Sequence, residues 1–129
     1  MAKMSWREAN RARWVGIRPA HEGTQIWGSG AANDDTVAIY TVPAGRVLYL
    51  ARAALVMYAN VAVASWFGVR DADDVLVHFL CSLRYQTNQT VTPPSAEYFP
   101  PLEIPAGYDL AVFSSAATDV YGSYFGWLQ

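Results

Sequence analysis

The stretch Thr36-Val37-Ala38-Ile39-Tyr40-Thr41-Val42-Pro43-Ala44-Gly45-Arg46-Val47-Leu48-Tyr49-Leu50 reads as strand, turn and strand. β-Branched and aromatic residues crowd its first half, Pro-Ala-Gly interrupts it, and apolar residues resume directly after. Proline fixes φ and removes a hydrogen-bond donor, and glycine lets the backbone turn. The same grammar returns 62 residues on, where Val42-Pro43-Ala44-Gly45-Arg46-Val47-Leu48 has a near-copy in Ile104-Pro105-Ala106-Gly107-Tyr108-Asp109-Leu110. Pro43, Gly45, Pro105 and Gly107 are therefore expected to mark two strand corners, at corresponding places in the two halves of a sandwich.

Strand signals begin at Thr36 and run outward from this core. Apolar character continues through Leu55-Val56-Met57-Tyr58, and Asn60 gives a turn before the strand at 61–69. Asp71-Ala72-Asp73-Asp74 is a polar turn ahead of Val75-Leu76-Val77-His78-Phe79-Leu80-Cys81. A loop from Gln86 to Ser95 leads to Glu97-Tyr98-Phe99-Pro100-Pro101-Leu102, and the segments 108–113 and 121–128 complete the set. Seven or eight short strands parted by turn residues predict an all-β fold, a single antiparallel β-sandwich of jelly-roll type.

The 129 residues suffice for one domain. Of these, 53% are hydrophobic and only 16% charged, against about 25% in an ordinary soluble domain. That balance excludes intrinsic disorder. No apolar run reaches the roughly 18–20 residues of a membrane span, because Arg52, Asn60 and Arg70 interrupt the longest stretch. The segment Met1-Ala2-Lys3-Met4-Ser5-Trp6-Arg7 has no signal-type apolar core. Cys81 is the single cysteine, so no internal disulfide forms. With 14% aromatic residues, the chain has more apolar surface than one small core requires, which predicts self-association or docking on a large partner.

Charge divides the chain in two. Residues 1–18 hold five cations against one acid, a net of +4, whereas residues 19–129 hold four arginines against ten acids, a net of −6. A basic arm at 1–18 thus precedes an acidic sandwich domain at 19–129. Ser5-Trp6-Arg7-Glu8 has the form of a capping box, and the segment from Trp6 to Trp14 has room for about two helical turns. Arg7 and Arg11 then share a helix face. Trp6, Arg7, Arg11, Arg13, Trp14 and Arg18 combine the residue types of interface hot spots, and the arm is expected to dock on protein. A solvated tail and a DNA contact are the competing readings; the overall net charge of −2 argues against nucleic acid.

Chemistry finds little support, and the expectation is a non-enzyme with no cofactor and no metal. His21 and His78 are the only histidines. His78 reads as a packed or interface residue that alternates with Leu76 and Leu80, and Cys81 reads as a buried thiol. A structural zinc site takes four ligands. Asp71-Ala72-Asp73-Asp74 lacks the glycine and distal glutamate of an EF-hand loop and reads as a solvated turn. Gly122-Ser123-Tyr124-Phe125-Gly126 has the wrong spacing for a nucleophile elbow, and Gly28-Ser29-Gly30 lacks the glycine-lysine of a phosphate loop. Glu97 and Glu103 make a thin case for glycosidase carboxylates. Tyr121 and Trp127 share strand parity and Tyr124 does not. The aromatics therefore read as part core and part subunit interface, with a sugar-binding face as the alternative.

Val42 to Leu50, Pro100 to Leu110 and Tyr121 to Trp127 together resemble small virion proteins of tailed bacteriophages. The resemblance implies a β-sandwich or jelly roll that assembles as a homotrimer. It also implies a structural role on the exterior of the virion, as a capsid decoration or cement subunit docked on the major capsid protein. A tail, fibre or head-spike component is the alternative within that class, and a carbohydrate-binding module recognising a host surface the alternative outside it. The basic arm is not part of the pattern.

Overall fold

The computed structural model describes residues 23–129. Their chain forms eight strands: β1 (Thr24–Ala32), β2 (Thr36–Thr41), β3 (Leu48–Met57), β4 (Val63–Arg70), β5 (Leu76–Tyr85), β6 (Ser95–Ile104), β7 (Asp109–Ser114) and β8 (Val120–Leu128). Two four-stranded antiparallel sheets result, a first sheet in the order β1-β8-β3-β6 and a second in the order β2-β7-β4-β5. The expected all-β sandwich is what forms. Its pairing follows a rule: β1 with β8, β2 with β7, β3 with β6 and β4 with β5. The chain is a ribbon doubled back at the β4–β5 hairpin and rolled up, with β3·β8 and β4·β7 pairing joining its turns.

Alternation builds the core between the sheets. In β3, Leu48 and Leu50 point inward, a register shift follows between Leu50 and Arg52, and Ala53 and Leu55 point inward after it. The extra residue, Ala51, resets the parity, as a bulge does. Phe67, Leu110, Val112, Val120 and Ile104 fill the remaining volume and are fully or almost fully buried.

The two Pro-Ala-Gly copies are corners, and they touch. Gly45 has φ +74° and Gly107 φ +83°. Arg46 N donates to Pro43 O at 3.1 Å and Tyr108 N to Pro105 O at 3.3 Å. A four-residue turn with a positive φ at its third residue is what glycine is needed for. Val42 N donates to Tyr108 O and Gly107 N to Val42 O, both at 2.9 Å. Beyond the turns, Leu48 lies opposite Ile104. The first corner runs from second sheet to first and the second corner runs back beside it, so together they close one end of the sandwich.

One departure from the sequence reading stands out. β1 was not expected, since strand signals begin at Thr36; it forms because its glycines are sites of close packing. A side chain at Gly28 would run into the ring of Tyr124, and one at Gly30 into Ile39. β6 carries Pro100 and Pro101 inside the strand. It tolerates them as an edge strand, with residues 98–101 bulging between the pairs Leu50–Leu102 and Arg52–Glu97.

Candidate interaction surfaces

The outward face of the second sheet is apolar. Inward Phe67 and Val69 fix the parity of β4, so Trp66 points out. Its ring stacks on Phe113 of β7 at 5.6 Å and meets Phe79 of β5 edge-on at 6.1 Å. Phe79 is 59% exposed. Leu76 folds over Gly68, where a side chain would collide with it. At one end of this face two charges pair: Arg70 Nε donates to Asp109 Oδ1 at 2.9 Å and Nη2 to Oδ2 at 3.0 Å. The hydrogen bond to Asp109 raises the guanidinium pKa against the opposing effect of burial, and Asp74 adds a 3.6 Å contact.

The outward face of the first sheet is aromatic and polar together. Trp27 lies opposite Phe125, and Trp127 lies between Gln25 and Tyr49. Phe125 and Trp127 meet edge-to-face at 5.2 Å. Arg52 stands between Phe125 and Glu97, and Glu103 stands opposite Tyr49. The two glutamates therefore occupy different rows. Tyr121 and Trp127 do share this face, and Tyr124 points the other way, where its ring lies 5.5 Å from that of Tyr40. Burial raises the pKa of both of these phenols, while Arg46 partly offsets the rise at Tyr40. Trp27, Phe125 and Tyr49 were not singled out with Trp127 from sequence, because cross-strand register decides who meets whom.

β5 and β6 are edge strands of their sheets, and between them lie His78, Cys81 and Tyr98. Register shifts in β5 place His78 opposite Val69 but Leu76 opposite Arg70. The expected alternation of His78 with Leu76 thus fails: Leu76 covers the outside, and His78 turns toward Tyr98, ring centroids 6.3 Å apart. Burial pushes the Cys81 thiol up to about 11, which suppresses the thiolate. Among the described residues, no three His, Cys, Asp or Glu side chains group as a metal site would require.

The remaining sites fall in loops and strands. Asp71 Oδ1 accepts from Asp73 N at 2.9 Å and Val75 N at 3.0 Å, fixing the β4–β5 turn. Asp35 accepts from Asn33 N, and Asp119 from Asn33 Nδ2, both at 2.9 Å, which fixes the loop after β1. Gly28-Ser29-Gly30 and Gly122-Ser123-Tyr124-Phe125-Gly126 lie in β1 and β8. Trp6, Arg7, Arg11, Arg13, Trp14, Arg18 and His21 lie outside the described residues.

No protein-family model and no curated protein matches the chain. Among solved structures it is similar to the NLP core of Drosophila, a crystal structure described as giving insight into pentamer formation and histone binding. The two are 16% identical over 80% of this chain and 97% of that one, with a TM-score of 0.39. A likeness at that level says nothing of what this chain binds or assembles with.

Proposed function

We propose that the protein is a structural subunit of a tailed-phage virion, a capsid decoration or cement protein that associates with copies of itself, as a trimer, and docks on the major capsid protein. The self-association rests on one observation: the run Phe79–Trp66–Phe113 lies on an outward face where Arg70 and Asp109 pair with each other and Arg84, opposite Ala64, is the flanking charge. A face with aromatics at its centre and few free charges has the composition of an interface core. The virion role rests on the resemblance carried by Val42 to Leu50, Pro100 to Leu110 and Tyr121 to Trp127. The rolled ribbon, with each strand pairing its counterpart from the other end, agrees with the jelly-roll reading.

Sedimentation of the purified chain tests the first half. Phe79→Lys puts an unpaired charge into the apolar face and is expected to give a folded monomer where the parent is an oligomer. A parent that sediments as a lone protomer at high concentration ends the reading. Copy number in purified particles tests the second half: hundreds of copies point to the shell, a few to some tens to a tail, fibre or spike.

A further inference from the structure

The first sheet's outward side chains stand in rows that cross the strands. Ser29, Ser123, Ala54 and Ser95 are successive cross-strand partners, so one entire row is small. The row on one side is Trp27, Phe125, Arg52 and Glu97. The row on the other is Ala31, Tyr121 and Val56, with the ring of Tyr58 5.9 Å from that of Tyr121. Rows lie roughly 7 Å apart and strands about 4.8 Å apart. The small row is therefore the floor of a trough roughly 15–20 Å long, with one wall along its length and a second that rises at β8 and β3 and falls to Ala31 at β1. Its middle is a depression of about 310 Å³ against Arg52, Ala54, Ser123 and Phe125.

We propose that this trough binds a linear oligosaccharide. The floor offers three serine hydroxyls, and the wall offers Arg52 and Glu97; among the described residues none of these side chains has a hydrogen-bond or ion-pair partner. An apolar protein face laid here would bury those groups without partners, at a cost. A sugar chain brings its own hydroxyls to them. Trp27, 72% exposed, and Phe125 provide flat apolar surface for the C–H faces of pyranose rings. An extended peptide is a poorer fit, since β-strand addition needs a free sheet edge and the trough crosses strands that are already paired. One arginine facing one glutamate gives no net positive charge for a phosphate backbone. Self-association is assigned to the opposite sheet, so the two readings stand or fall separately.

The test is a glycan array of linear and branched oligosaccharides, probed with the full chain, Trp27→Ala and Ser123→Phe. The parent is expected to retain at least one linear oligosaccharide of about four or more units. Trp27→Ala should weaken that binding about tenfold, and Ser123→Phe, which fills the floor, should abolish it. Sedimentation and circular dichroism of both variants should match the parent. Trp27→Ala removes a mostly exposed ring and keeps the test valid if Ser123→Phe misfolds. Absence of any retained glycan overturns the proposal, as does equal retention by a folded Ser123→Phe. Retention of an unstructured peptide pool in place of glycans, lost in Ser123→Phe, assigns the trough to peptide and overturns it as well.

Discussion

Arg70 and Asp109 meet through two hydrogen bonds, with side chains only 15% and 9% exposed. Partly buried charges are worth little as a pair and cost much when separated, because the survivor is left desolvated. Asp109→Ala should therefore lower stability by about 2 kcal/mol in a urea titration, with Asp74 holding Arg70 only at 3.6 Å. The joint change Arg70→Met with Asp109→Leu should recover most of that loss. If the single change costs nothing measurable, water reaches the pair. Cys81 makes a second residue-scale prediction. Its thiol is shifted from 9.0 to about 11 by burial, so the folded state favours the protonated form. That preference supports the fold below about pH 9 and is lost as pH rises toward about 11. At pH 8, alkylation by iodoacetamide should run about 100-fold slower than in the urea-unfolded chain. Equal rates would place the thiol in solvent.

Among the elements, the two corners carry the clearest forecast. Gly45 has open space around an added Cβ, so Gly45→Ala tests backbone strain alone. A positive φ costs an L-residue about 1 kcal/mol. Gly45→Ala and Gly107→Ala should each lower the melting temperature by roughly 4 °C in a scanning calorimeter; an unchanged value at Gly45 would mean that the turn relaxes to another geometry. These corners were legible in the sequence because proline and glycine act locally, and each is recognisable from four residues. β2, β3, β4, β7 and β8 were legible for a similar reason, their density of Val, Ile, Tyr, Phe and Leu. β1 was not, since Gly28 and Gly30 lower strand propensity and make sense only once Tyr124 and Ile39 are packed on them. The trough and the Phe79–Trp66–Phe113 run were hidden too. Both depend on partners 13 to nearly 100 positions apart in sequence, and bulges in β3 and β5 shift which residues face outward.

For the whole molecule, two kinds of surface predict two responses to salt. An oligomer held through apolar Trp66, Phe79 and Phe113 should keep its sedimentation coefficient between low and high ionic strength. If the proposed attachment runs through Arg7, Arg11, Arg13 and Arg18, it should weaken over the same range, since salt screens ionic contacts. Deleting residues 1–18 is expected to leave the oligomer intact and abolish attachment to particles, scored by co-sedimentation with purified capsids. Truncated protein that still decorates them would move the docking surface onto the sandwich itself. The rolled ribbon carries a last consequence, for synthesis. β8 lies between β1 and β3, so the last made of these eight strands is the one that joins its sheet. Until Val120–Leu128 emerge, β1 has no neighbour to pair with in that sheet. Completion of the first sheet therefore waits on β8, and a chain stalled before it would leave β1 unpaired there and β3 with only β6 beside it.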